Sequence, residues 1–304
     1  MGDQFILQSM ALAGVIYLLV FFYGPMYGII LAFKDYDFAL GIMKSPYVGL
    51  ANFRELLEDP ELFKVLRNTI SISLLKLAIC FPAPILFAVL LNELPGRRIK
   101  KFIQTASFFP HFISWVIVSL LMDTWFANEK SLVNSILLQL QLIEKPLRVL
   151  TRESSFYGLA VYTELWKETG WAAIIYIAAI AGIDTHQYEA AAIDGASRLQ
   201  RIFRITIPNL QYAITIMFMF SFAGILSGGG GAFEQSFFFG NTVNYDRSII
   251  LGTYVLKTGI QLGRFSFATA VGLMNSFVSM GLLVVCNAIL KRTTGSGIYR
   301  GGDA

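Results

Sequence analysis

The sequence predicts an all-α integral membrane protein with six transmembrane helices. Three observations predict it. Charged residues make up 14% of the 304 residues and hydrophobic residues 55%, with a mean hydropathy of +0.60. A soluble domain carries about 25% charged residues, so this chain is too poor in charge to cover a water-facing surface. Its apolar stretches reach the roughly 20 residues needed to cross a bilayer, where the core of a soluble protein breaks them at ten or so. Basic residues also gather in short segments between alternate stretches, as they do on the cytoplasmic side of a membrane.

The six expected spans are 4–33, 68–91, 104–127, 157–183, 208–227 and 265–290. The first is too long for a signal-peptide core and lacks a small-residue cleavage pattern, so it reads as a true span. Nothing basic precedes it, and a basic extension upstream of Met1 is therefore expected. Segment 50–66 has apolar residues at helical spacing and reads as an amphipathic surface helix. The second span holds Lys76 eight residues in. A charge at mid-span costs at least about 2.5–3.5 kcal/mol, so Lys76 is expected to snorkel. Asp123, close to Trp125, is expected to reach water at the outer end of the third span. Segment 131–143 is apolar but too short to cross.

The fourth span opens with a polar patch. Glu164, Lys167 and Glu168 fall at i, i+3 and i+4 on one helical face. They either line an outer vestibule of a translocation path or pair with one another. Segment 228–247 opens with four glycines, Gly228 to Gly231, and continues through Phe233, Phe237, Phe238 and Phe239. Glycines free the backbone, and aromatic rings favour an interface or a sugar face. Segment 249–263 reads as a short helix leading into the last span. There Gly272, Asn275, Ser276 and Ser279 form a stripe. Small residues at that spacing serve close helix packing or line a pore.

Basic residues set the orientation. Loop 93–103 holds Arg97, Arg98, Lys100 and Lys101; loop 184–207 holds Arg198, Arg201 and Arg204; the tail holds Lys291, Arg292 and Arg300. The three other loops are about twice as long in total, and acidic residues nearly balance their charge. The short basic segments, and with them both termini, are expected in the cytoplasm of a bacterial inner-membrane protein.

Several function classes lack support. The net charge of +4 is spread over short loops with no basic-aromatic module, so it is no nucleic-acid signal. Cys80 and Cys286 lie inside apolar segments without CxxC spacing, and His111 and His186 are the only histidines, which leaves no zinc pattern. No GxxxxGK[ST] loop cradles phosphate, so this chain is expected to bind no cofactor and to be no enzyme. A membrane enzyme acting on lipid-linked sugars would need carboxylates or histidines clustered with metal or phosphate ligands, and no such motif is present.

Loop 184–207 carries the most information. Asp184 can cap a helix starting at Thr185, with Gln187 placed for the return bond of a capping box. Glu189 lies in the first turns, where the helix dipole favours an anion. Ala190, Ala191 and Ala192 give helix propensity and a thin profile suited to a groove. Gly195 permits a sharp bend, Arg198, Arg201 and Arg204 recur every third residue, and Pro208 fits the first turn of the next span. The segment reads as helix, glycine bend, helix, proline: either a docking element or a cap on the bundle.

Glu189-Ala190-Ala191, Gly195, Ile205 and Pro208 resemble the EAA signature of permeases in binding-protein-dependent ABC importers. That signature has a glycine four positions after the second alanine and an I-x-x-P ending thirteen residues later. Asp194, Ala196, Ser197 and Phe203 are similar to the carbohydrate-uptake branch. Residues 23–37, YGPMYGIILAFKDYD, with Ser45-Pro46 and Gly49-Leu50, resemble permeases of complex-saccharide importers, above all the larger permease subunit of alginate (uronate) importers. The resemblance implies the six-helix type I importer core as one permease domain over 1–304. It implies a second homologous permease, two separate ATPase subunits holding ATP and Mg, an extracytoplasmic binding protein and a lipid surround. It makes 184–207 the coupling loop, with Glu189 in a polar contact to the ATPase and Gly195 shaping the bend. A same-type importer for a peptide or phosphate ester is the alternative.

Overall fold

The computed structural model describes residues 2–126, 128 and 130–294. Arg300 of the expected cytoplasmic tail and Ala127, the expected end of the third span, lie outside the described residues. Among the described residues the regular structure is helical, and the one strand-like pairing is an isolated antiparallel bridge between Lys34 and Tyr47. The chain forms two compact units. One comprises residues up to Phe63 with Tyr254–Phe277; the other comprises Lys64–Thr253 with the chain from Val278 onward.

In the first unit α1, Gly2–Leu18, runs on through a π turn, Leu19–Tyr23, and a 3-10 stretch, Tyr27–Phe33. Gln8–Phe33 is long and apolar enough to cross a membrane, as expected of the first span. A polar knot follows. Lys34 Nζ donates to the carbonyls of Ile42 and Met43 at 2.8 Å each, and Asn52 Nδ2 donates to the carbonyls of Ala32 and Lys34. The amphipathic segment forms α2, Ala51–Glu58, and ends at Asp59 rather than continuing to 66.

Helix α3, Pro60–Ile79, starts earlier than the expected 68, because Pro60 needs no partner for its missing N–H in a first turn. It passes into α4, Pro82–Glu93, across a local widening. Pro82 and Pro84 remove two amide donors. The carbonyl of Lys76 there accepts from both Cys80 N and Phe81 N, at 2.7 and 3.1 Å, the π-type slack expected near prolines.

The third span is not the straight helix expected over 104–127. Helix α5, Arg97–Phe108, and a 3-10 turn, Phe109–Phe112, meet α6, Trp115–Phe126, at a bend of 95°. Pro110 and the extended Ile113 break the helical ladder. The short apolar segment folds as α7, Leu132–Gln139.

Helix α8, Phe156–Ala181, organises the second unit. Its buried face reads Phe156, Leu159, Ala160, Thr163, Glu164, Lys167, Gly170, Ala173, Tyr176 and Ile180, one stripe at helical period. The upper part packs with Ile72, Val118, Met122, Ala232, Phe239 and Ile250. The lower part packs with Ala88, Val89 and Leu210. Inside a bilayer, helices associate by close packing rather than by leaving water. Gly170 shows it: a Cβ there would stand 2.1 Å from the carbonyl oxygen of Ser107 on α5.

Helix α9, Thr185–Ile193, and α10, Arg198–Arg201, form the loop hairpin. A π turn, Ile202–Thr206, carries α10 into α11, Ile207–Ala223, so the helix runs through Pro208 without a break. Helices α12, Ala232–Phe239, and α13, Leu251–Leu256, precede the last span, α14, Phe265–Thr294. Among the described residues four segments are long and apolar enough to cross, and the bent pair makes a fifth if it counts as one span. The sixth expected span is α8, long enough but interrupted by Glu164, Lys167 and Glu168.

Candidate functional site

Two places in the second unit gather the polar side chains that the apolar segments otherwise exclude. One is a cavity of about 340 Å³. Its wall is built by Ser73, Lys76 and Leu77 of α3, Cys80, Phe81 and Pro84 at the widened turn, Glu164, Glu168, Thr169 and Tyr176 of α8, Phe220 and Ser221 of α11, and Gly229 and Gly230. Aromatic faces, hydroxyls and carboxylates share the wall, a mixture that suits a polyhydroxylated ring.

Lys76 does not snorkel. It is 5% exposed, and its Nζ donates to the carbonyl of Gly230, to Gln235 Oε1 at 2.7 Å and to Glu164 Oε2 at 3.4 Å. Glu164, 8% exposed, is thus paired to α3 rather than to its neighbours on α8. Gln235 binds the cluster from a third helix, donating through Nε2 to the carbonyl of Ala160 at 2.9 Å, to Thr163 Oγ1 at 3.1 Å and to Glu164 Oε2 at 3.4 Å. Buried charges persist only when paired and hydrogen-bonded, and no buried side-chain N or O among the described residues lacks a partner.

Lys167 and Glu168 do pair with each other, at 3.0 Å. Lys167 Nζ also donates to the carbonyl of His111 at 2.6 Å, and Glu168 Oε2 lies 2.7 Å from His111 Nδ1. The imidazole stacks on Trp171 at 4.2 Å. Of the three polar residues singled out on this face, Glu164 and Glu168 line the cavity and Lys167 stands behind it. Gly272, Asn275 and Ser279 are not in its wall; they lie half-buried along α14. A Cβ on Gly272 would meet nothing within 4 Å among the described residues.

Sequence reasoning missed Gln235 and the Gly230 carbonyl. The signal was present as two opposite charges, 88 positions apart, in otherwise apolar segments. Such charges must find each other or water.

The second place is loop 184–207. Asp184 caps α9 as expected, accepting from His186 N at 3.0 Å. Gln187 makes no capping box; its Oε1 accepts from Asn209 Nδ2 at 3.1 Å instead. The capping box stands one helix later, between Ser197 and Gln200. Gly195 takes φ +73° with open space around its Cα. Ala196 N donates to Ala191 O at 2.9 Å and Gly195 N to Ala192 O at 3.1 Å. These are the paired bonds of a Schellman cap. The four-residue spacing from Ala191 to Gly195 is the spacing this cap requires.

Tyr188 and Thr206 share a hydroxyl hydrogen bond at 3.0 Å, tying the hairpin to the buried start of α11. Glu189 is exposed, with Oε2 3.3 Å from His186 Nδ1. Ala190, Asp194, Arg198 and Pro208 are exposed, and Ala191 and Ile205 half-buried. Around them Ile193 is 87% exposed, Leu199 66% and Phe203 65%. A short, firmly capped helix thus presents apolar side chains and a carboxylate outward.

Comparison with known proteins shows the family. Residues 81–292 match the family described as binding-protein-dependent transport system inner membrane component. The polygalacturonan/rhamnogalacturonan transport system permease protein YteP of Bacillus subtilis is 39% identical over 98% of this chain and 91% of its own length. Protein LplB of the same organism is 36% identical over 96% of this chain and 91% of its own. Among solved structures, a chain of a bacterial ABC transporter involved in the import of the acidic polysaccharide alginate superposes with TM-score 0.87. It is 32% identical, covering 96% of this chain and 97% of that one. The fold is that of a type I ABC importer permease. With the family match covering more than half of the chain and relatives of 39% and 36% identity aligned over nearly all of it, the chain belongs to the binding-protein-dependent transport system inner membrane components.

Proposed function

We propose that this chain is one of two membrane-spanning subunits of an ATP-driven importer for an acidic oligosaccharide, most simply a uronate oligomer. The observation that carries the solute class is the pair of relatives named above, one for polygalacturonan and one for alginate, each aligned over nearly the whole chain. A wall of aromatic rings, hydroxyls and carboxylates around the cavity supports a sugar as cargo. The cavity is this chain's part of the solute route, with Glu164 and Glu168 facing it and Lys167 positioning Glu168.

The chain acts as one permease domain, with 184–207 as its coupling loop. Separate ATPase subunits, holding ATP and Mg, dock against Glu189, Ala190, Ala191, Asp194, Gly195 and Arg198, while Ile205 and Pro208 join that surface to α11. The exposed carboxylate and apolar rim of the hairpin support this. A second permease and lipid cover the exposed apolar faces, including α1, and Gly272, Asn275 and Ser279, half-buried along α14, serve close helix packing or line the path. A binding protein delivers solute to the outer loops; the solved structure of a bacterial alginate ABC transporter in complex with alginate pentasaccharide-bound periplasmic protein, 32% identical, supports that arrangement. ATP closure and solute release are coupled because each favours a different state of the same permease pair.

The test is ATP hydrolysis by the complex reconstituted with its binding protein, against uronate and neutral oligosaccharides. Stimulation by uronate oligomers alone is expected. Stimulation by neutral sugars alone would replace the acidic class, and stimulation by peptides or phosphate esters alone would replace sugar as cargo.

A further inference from the structure

The four-glycine turn lies directly on the buried ion pair, so a side chain on it would press on the pair or on the Trp115 ring. A Cβ on Gly230 would stand 2.7 Å from Glu164 Oε1. One on Gly231 would stand 2.7 Å from Glu164 Oε2 and 2.6 Å from the Trp115 ring. One on Gly229 would meet the Lys76 stem at 3.2 Å. Gly228, Gly229 and Gly231 also hold φ of +84°, +78° and +62°, so the turn's shape and its closeness both require glycine. Lys76 donates a side-chain hydrogen bond to this turn's backbone, at the Gly230 carbonyl. Gly229 and Gly230 form part of the cavity wall that Lys76 and Glu164 share.

We propose that turn 228–231 is a gate over the cavity and that Lys76 is its latch, held in the closed position by Glu164 and Gln235. Three helices converge on one ammonium: α3 supplies it, α8 supplies the carboxylate and α12 supplies the amide. The third partner of the ammonium is the backbone of the turn itself. Every donor of the latch is satisfied while the turn is down, so closure is a defined state rather than a loose contact. Lifting the turn breaks the Gly230 bond and frees one donor of the ammonium, which already stands in the cavity wall beside the carboxylate, so that water or solute hydroxyls replace the lost partner. A turn free of side chains can move past the pair without steric hindrance, which a bulkier sequence could not do. Lys76 also sits where the Pro82–Pro84 widening loosens its own helix, since its carbonyl is shared by two amides. The latch residue thus stands at a weak point of α3 that can yield as the turn lifts.

The inference rests on the reading of the cavity as the solute route, and Cys80 in the cavity wall tests both separately. In the assembled importer with Cys286→Ser, Cys80 is the single thiol of this chain. Its rate of labelling by a membrane-impermeant methanethiosulfonate reports the gate. Lys76→Met alone leaves Glu164 buried without its ammonium and can fail to assemble. The charge-neutral pair Lys76→Met with Glu164→Gln avoids that. The neutral pair is expected to raise Cys80 labelling in the resting complex at least tenfold and to raise ATP hydrolysis without solute. Gly230→Ala, which wedges the turn off the carboxylate, is expected to do the same with both charges in place. Labelling at the parental rate in both assembled variants overturns the latch. Uptake that survives complete labelling of Cys80 by a bulky reagent overturns the route instead, whatever the variants do.

Discussion

At the scale of single residues, two glycines with opposite surroundings give opposite predictions. Gly170 has an ordinary helical backbone but no space, because Ser107 carbonyl oxygen lies 2.1 Å from where its Cβ would be. Backbone cannot step aside as a side chain can. Gly170→Leu is therefore expected to push α8 off α5 and destabilise by about 1–3 kcal/mol or more, read as a lower thermal midpoint and poor recovery of the detergent-solubilised complex. An unchanged midpoint would mean the two helices are not in contact there. Gly195 has the reverse character, with space on all sides and φ +73°. Gly195→Ala is expected to cost only the left-handed backbone penalty, about 1–2 kcal/mol, and to leave uptake largely intact. Gly195→Trp, especially with Glu189→Ala, carries the same backbone penalty but fills the docking face. It is expected to abolish uptake while the spans stay folded; normal uptake by that double variant would remove coupling from this loop.

At the scale of elements, what was legible in the sequence was whatever local chemistry decides. The helix cap at Asp184, the bend at Gly195 and the apolar runs of the first, second, fifth and last spans all follow from neighbours along the chain. Contacts between distant segments were not legible. Gln187 could have closed a capping box, but Asn209 claims its side chain. Lys76 could have snorkelled, but Glu164, Gln235 and the Gly230 carbonyl surround it. The 95° break in the third span was half-visible as Pro110, yet a proline inside an apolar run can also kink a helix gently. The π turn at 202–206 that lets the helix run through Pro208 leaves no pattern in composition. The hairpin itself offers a prediction at this scale. Ile193 ends α9 at 87% exposure, and Leu199, beyond the glycine bend, is exposed as well. A minority of interface side chains carry more than about 1 kcal/mol of an association each, those buried at its centre, and the apolar tip of the hairpin is placed to be one of them. Ile193→Ser is expected to weaken co-purification of the ATPase subunit roughly tenfold without lowering the thermal midpoint of the permease pair. Full-strength association would mean this rim lies outside the interface.

At the scale of the whole molecule, the number of crossings turns on one helix. Among the described residues four apolar helices and the bent pair are long enough for five crossings, and α8 makes a sixth only if it carries Glu164, Lys167 and Glu168 into the membrane. Its length permits this: 26 residues span about 39 Å against a hydrocarbon core of about 30 Å. Its chemistry permits it as well, because each charge has a partner inside the protein, Glu164 with Lys76 and Glu168 with Lys167 and His111. Charge in a bundle interior is tolerated where charge facing lipid is not. The parity of crossings then becomes measurable. If the bent pair and α8 both cross, loops 93–103 and 184–207 lie on the same side, and the basic residues of both place that side in the cytoplasm. If α8 does not cross, the two basic loops are separated by a single crossing and face opposite sides. In a background with Cys80→Ser and Cys286→Ser, single cysteines at Arg98→Cys, Lys145→Cys and Thr185→Cys report the three positions, each exposed in the structure. An impermeant maleimide is expected to label Lys145→Cys in intact cells, and Arg98→Cys and Thr185→Cys only after permeabilisation. Labelling of Thr185→Cys in intact cells, with Arg98→Cys still protected, would take α8 out of the membrane and leave its ion pairs at the outer surface.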